Sequence, residues 1–73
     1  MRNYTYQSRI ITELYCMDNL SRCDVTTLYY DGSIVSHQMW MRTKVFEAAM
    51  DGNQELKGLV NRTYEYLVRH GRI

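Results

Sequence analysis

Seventy-three residues with nine basic and eight acidic side chains, a net charge of +1, make one small domain. They argue against a general nucleic-acid binder, which carries a basic excess to neutralise phosphate. At this length only about 60% of the unfolded chain's surface is buried, so most aliphatic side chains go to one core and little is left to enclose an active site.

The chain opens with MRNYTYQSR, which has two tyrosines and two arginines and, after Met1, no aliphatic residue. Its polar character lacks the apolar centre of a signal peptide. Nowhere does an apolar run reach the ~20 residues of a membrane span. The expected location is therefore cytosolic, and the Asn-x-Ser/Thr matches at Asn3, Asn19 and Asn61 are expected to be chance. If residues 2–9 are extended, Arg2, Tyr4, Tyr6 and Ser8 form a row on one side and Asn3, Thr5, Gln7 and Arg9 on the other. Tyrosine and arginine dominate binding energy at many protein interfaces, and an extended arm can add to a partner's open sheet edge. The competing reading is that these residues continue the first strand or fray.

Residues 9–17 (RIITELYCM) fit two patterns. Ile10, Leu14 and Met17 have helical spacing, whereas Ile10, Thr12, Leu14 and Cys16 alternate as in a strand. The isoleucine pair, threonine and tyrosine favour the strand, which would make the sheet a three-stranded meander. The polar stretch from Asp18 to Arg22 punctuates the chain next. On the strand reading, Cys16 and Cys23 flank this first turn and could face each other.

Residues 25–30 (VTTLYY) and 34–40 (IVSHQMW) predict a β-hairpin around Asp31-Gly32-Ser33, since Asp-Gly before an apolar run is a strong turn signal. Tyr29 and Tyr30, adjacent in a strand, must point to opposite faces. Trp40 is expected in the core, and Met39 as an adaptable contact.

The C-terminal part predicts two helices. Residues 43–51 direct Val45, Phe46, Ala49 and Met50 inward, and Gly52 ends that helix. Asn53 then caps a second helix, in which Leu56, Leu59, Val60, Tyr64 and Leu67 form an apolar stripe. Glu65 and Arg69 are placed to pair one turn apart, and Gly71 ends the helix. The expected fold is α+β: a small antiparallel sheet covered on one face by two helices, with the other face open to solvent. Residues 1–8 are expected as an extended arm, and residues 9–73 as one compact domain.

The sequence offers no catalytic signature and no cofactor motif. Cys16 or Cys23 could meet His37 across strands, but no third group is placed to orient them. The two cysteines and two histidines lack zinc-finger spacing. The run DGNQE from Asp51 starts like a calcium loop, but Leu56 stands where glycine is needed and Arg62 where glutamate is needed. The paired helices also suggest a small DNA-binding regulator, with Lys57, Arg62 and Arg69 as phosphate contacts. Against that, Asp51 and Asn53 flank the turn glycine where apolar residues are usual.

A tiny Met- and Tyr-rich chain without catalytic signals, opening on MRNYTYQSR, resembles the small host-takeover proteins of lytic phages. Among these it is most similar to the RNA-polymerase-binding transcription regulators of Xanthomonas-infecting phages. The likeness lies in length and plan, a polar N-terminal segment followed by a compact domain. The resemblance implies a non-enzymatic protein in the cytoplasm of the bacterial host, and the chain itself is expected to be a monomer. Its implied partners are the large subunits of bacterial RNA polymerase, β′ near its N-terminus foremost and β beside it. It implies inhibition of initiation through loss of the sigma factor, and read-through of intrinsic terminators. On this reading the partner-binding residues are Arg2, Tyr4, Thr5, Tyr6 and Arg9, with Tyr29, Tyr30 and Met39 as a second contact.

Overall fold

A computed structural model describes residues 6–73 of the chain. The element order is β1 (Ser8–Met17), β2 (Leu20–Leu28), β3 (Ile34–Arg42), α1 (Thr43–Met50) and α2 (Gln54–Arg69). The strands form an antiparallel meander in the order β1-β2-β3, so the first ordered segment is a strand and the fold is α+β.

The two hairpins close differently. Between β1 and β2 only two residues turn the chain, Asp18 (φ 53°) and Asn19 (φ 67°). Asp and Asn tolerate the left-handed region, and two such residues match the twist of the flanking strands. The turn is tighter than the composition predicts, because Leu20 and Ser21 already belong to β2. Between β2 and β3, the Tyr29 and Gly32 backbones close a turn (Gly32 N to Tyr29 O, 3.0 Å) and Tyr29 N reaches Ser33 O at 2.9 Å. Gly32 sits at φ +91°, where a Cβ would be strained. Asp31 accepts from both the backbone and hydroxyl of Ser33 (2.9 and 2.7 Å), which lowers its carboxyl pKa. Tyr29 and Tyr30 thus lie past the strand end.

Strand β2 carries the clearest alternation. Ser21, Cys23, Val25 and Thr27 are fully buried, while Leu20, Arg22, Asp24, Thr26 and Leu28 take the other face. Register carries this parity to β3, pairing Cys23 with Met39 and Arg22 with Trp40. Val25, Met39 and Tyr64 form the centre of the core, with Ile11, Met41, Leu67, Val68 and Ile73 packed around them. Trp40 therefore points away from the core in which its size suggested a place.

On β1 the alternation breaks. Glu13 pairs with Cys23, but Tyr15, not Leu14, pairs with Arg22. This β-bulge adds one residue and reverses the parity beyond it. Glu13 and Cys16 consequently share the helix-facing side, where Ser21 donates to Glu13 and lies 2.7 Å from Thr43 Oγ1, and Cys16 Sγ lies 3.2 Å from the same hydroxyl. Cys16 pairs with Ser21 rather than Cys23, and both thiols are free.

The helices close one face. α1 follows β3 without a loop, and its first N–H, that of Thr43, donates to Asn19 O at 2.9 Å. Gly52 (φ +101°) ends it with paired backbone bonds to Ala48 O (from Asn53 N, 3.0 Å) and Ala49 O (3.2 Å), the left-handed closure that favours glycine. Met50 falls on the exposed side of α1. Asn53 caps α2 as predicted, accepting from Leu56 N at 3.0 Å. Val60 and Tyr64 of its stripe are buried, whereas Leu59 stays exposed.

Candidate functional site

Two regions of the surface are candidates for function, and the first lies around Tyr6 and Arg9. Of the expected anchor residues, Arg2, Tyr4 and Thr5 lie outside the described residues. Arg9 is described, and it is not free for a partner. Strand parity aims it at α2, where its side chain is 3% exposed. Nε donates to Thr27 Oγ1 (2.8 Å), one terminal nitrogen to Asn61 Oδ1 (3.1 Å) and the other to Glu65 Oε2 (2.8 Å). Its guanidinium also lies 4.0 Å from the Tyr6 ring centre and 4.5 Å from that of Tyr64. A planar fork with five donors suits this arrangement, because hydrogen bonds fill its edge while rings cover its faces. Arg9 is a staple between β1 and α2, and Glu65 is its partner on the helix. Beside it runs an open groove of about 430 Å³ with Tyr6 and Tyr66 on its walls.

The second predicted contact also divides. Met39, expected on the surface, is 1% exposed and central to the core. Tyr29 is half-buried, and Tyr30 is 69% exposed at the hairpin tip.

The second region is the uncovered face of the sheet. At its β1–β2 turn end, Tyr15, Arg22 and Trp40 stand side by side across the three strands. The Tyr15 and Trp40 rings meet edge to face, 5.7 Å between centres at 86°. The Arg22 guanidinium lies 5.4 Å from the Trp40 ring centre. Met17, Leu20 and Arg42 surround them, since Met17 pairs with Leu20 and Leu20 with Arg42. Trp40 is 43% exposed and Tyr15 50%, with Met17 and Leu20 similarly open. The bulge creates this group: regular alternation would put Leu14 opposite Arg22 and turn Tyr15 toward the helices. At the far end of the face, Ile10 and Ile34 are also exposed, and between the ends lie Thr12, Asp24, Thr26, Ser36 and Gln38.

Sequence reasoning missed Tyr15, Arg22 and Trp40. The available signal was the parity of β2, in which four small or apolar residues alternate with larger ones. Carrying it to Trp40 requires the hairpin register, and carrying it to Tyr15 requires the bulge.

The ionisable groups inside the fold are hydrogen-bonded or packed against the core. His37 Nδ1 lies 2.7 Å from the Tyr64 hydroxyl. Burial, opposed by the Thr27 hydrogen bond and by Arg9, raises the pKa of that hydroxyl. Burial first, and Glu13 second, raise the Cys23 thiol, which disfavours the nucleophilic thiolate. His37 pairs with Val25 across the strands and Cys23 with Met39. Among the described residues, no three His, Cys, Asp or Glu side chains gather as a metal site, and no helix is long and apolar enough to cross a membrane. Compared with protein families, curated proteins and solved structures, the chain matches none.

Proposed function

We propose that this chain is a non-catalytic regulator that binds the large subunits of bacterial RNA polymerase in the host cytoplasm, inhibiting initiation and suppressing intrinsic termination. The polymerase and the two transcriptional effects come from the resemblance noted above. The observation that carries the protein-binding part is the grouping of Tyr15, Met17, Leu20 and Trp40 on the open sheet face. A domain this small needs its large apolar side chains in the core, and such side chains grouped in the open mark interaction surfaces. Tyrosine, tryptophan and arginine are the residues that most often dominate such contacts.

Arg9 and Met39 leave the proposed contact set, because the fold itself uses them. Tyr6 and Tyr30 remain in it, as do Arg2, Tyr4 and Thr5. The test is co-migration of the full chain with bacterial core polymerase and holoenzyme, beside single-round transcription through an intrinsic terminator. Binding, fewer promoter-initiated transcripts and more read-through are expected. A folded chain that binds neither polymerase form at micromolar concentration overturns the reading.

A further inference from the structure

We infer that the Tyr15–Arg22–Trp40 end of the open sheet face docks an acidic amphipathic segment of a protein partner, one presenting carboxylates beside aliphatic side chains. The inference rests on the protein-binding part of the proposed function and on nothing about polymerase.

Charge and apolar surface together select this occupant. Arg22 and Arg42 stand on the face, and neither makes an ion pair among the described residues. Of the carboxylates nearest to them, one is turned away and the other, still charged on the same face, makes no ion pair with either arginine. Glu13 is carried to the helix side by the register that precedes the bulge, where it accepts from Ser21. Asp24 accepts from Thr26 at 2.7 Å. The Arg22 guanidinium is held near the Trp40 ring, which leaves its hydrogen-bonding edge available to a carboxylate, the planar acceptor it fits best. Around these two charges lie Met17, Leu20 and the two rings, an apolar rim that needs aliphatic surface to cover it.

A single-stranded nucleic acid fits less well. It would stack bases on Tyr15 and Trp40, but it also needs a cationic track for successive phosphates. The rest of the face, through Thr12, Thr26, Ser36 and Gln38, is neutral apart from Asp24. Two arginines and two exposed aliphatic side chains match a peptide better than a polyphosphate.

Trp40 is the chain's only tryptophan, so its fluorescence reports on this site alone. The full chain is titrated with three probes: an amphipathic helical peptide of Leu, Ala and Glu, the same peptide with Lys for every Glu, and a single-stranded oligothymidylate. The acidic peptide should shift Trp40 emission to shorter wavelength, saturably and more weakly as salt rises. Arg22→Glu, with its fold checked by circular dichroism, should weaken that peptide about tenfold and improve the Lys peptide. Arg22→Lys should recover part of the affinity. The inference is overturned if the Lys peptide binds wild type equally well, if oligothymidylate binds more tightly, or if folded Arg22→Glu leaves affinity unchanged. It is equally overturned if emission responds only to the chain's own concentration, which would make the occupant a second copy. Peptide binding without polymerase binding would keep this inference and remove the polymerase reading.

Discussion

The two faces of β2 are made from the same nine residues, yet they obey different rules. On the helix-facing side, Ser21, Cys23, Val25 and Thr27 have no exposed surface. Both hydroxyls there are bonded, to Glu13 and Thr43 in one case and to Arg9 in the other. No buried side-chain nitrogen or oxygen among the described residues lacks a partner. On the open side, Arg22 sits between Tyr15 and Trp40 and forms no ion pair among the described residues. One face is satisfied from within the chain and the other is not. Polar groups out of water must be paired within the protein, whereas exposed ones are paired by solvent. Strand parity separates the side chains that hold the fold together from those left to solvent.

The largest expected effect breaks the covered face. Met39→Ala should cost about 3 kcal/mol through lost transfer energy and a cavity between Val25 and Tyr64, read as a lower denaturant midpoint. Next comes Arg9→Ala. It removes a buried guanidinium that spans β1 and α2, and about 2–3 kcal/mol is expected because Glu65 can partly rehydrate. If Arg9 were instead an exposed partner contact, stability would barely move.

Alkaline pH gives a smaller and separable effect. In the unfolded chain Tyr64 loses its proton near pH ~10, while the folded chain holds the proton to higher pH because burial penalises the phenolate. Above that point the folded state binds more protons than the unfolded one, so stability falls as pH rises. The slope from this one group is at most about 1.4 kcal/mol per pH unit. Tyr64→Phe should lose this contribution, which is checked by comparing the two chains' melting curves between neutral and alkaline pH.

The smallest stability effect sharpens the comparison from the other side. Trp40→Ala should change stability by no more than about 1 kcal/mol, since its ring is partly in solvent and lies edge to face with Tyr15 beside Arg22. The same substitution should abolish capture of a partner that uses the open face. A large loss of stability would place Trp40 with Met39 as a core residue, and the separation of the two faces would fail.

Local chemistry in the sequence determined much of this protein. Asp-Gly specified the second hairpin, because glycine alone adopts that backbone angle freely. Asn53 and the stripe through Val60 and Tyr64 specified α2, because capping and helical period act within a few residues. The β-branched run after Arg9 specified a strand. Tertiary structure decided which side of each strand faced inward. The register of β3 against β2 put Met39 in the core and Trp40 in the open, reversing what their sizes suggested, since a shift of one residue exchanges the two faces. The bulge at Leu14 did the same for Tyr15, and α2 reached across to take Arg9 out of the surface. Each of these outcomes depends on residues far apart in the chain, and composition and spacing within one segment carry no record of them.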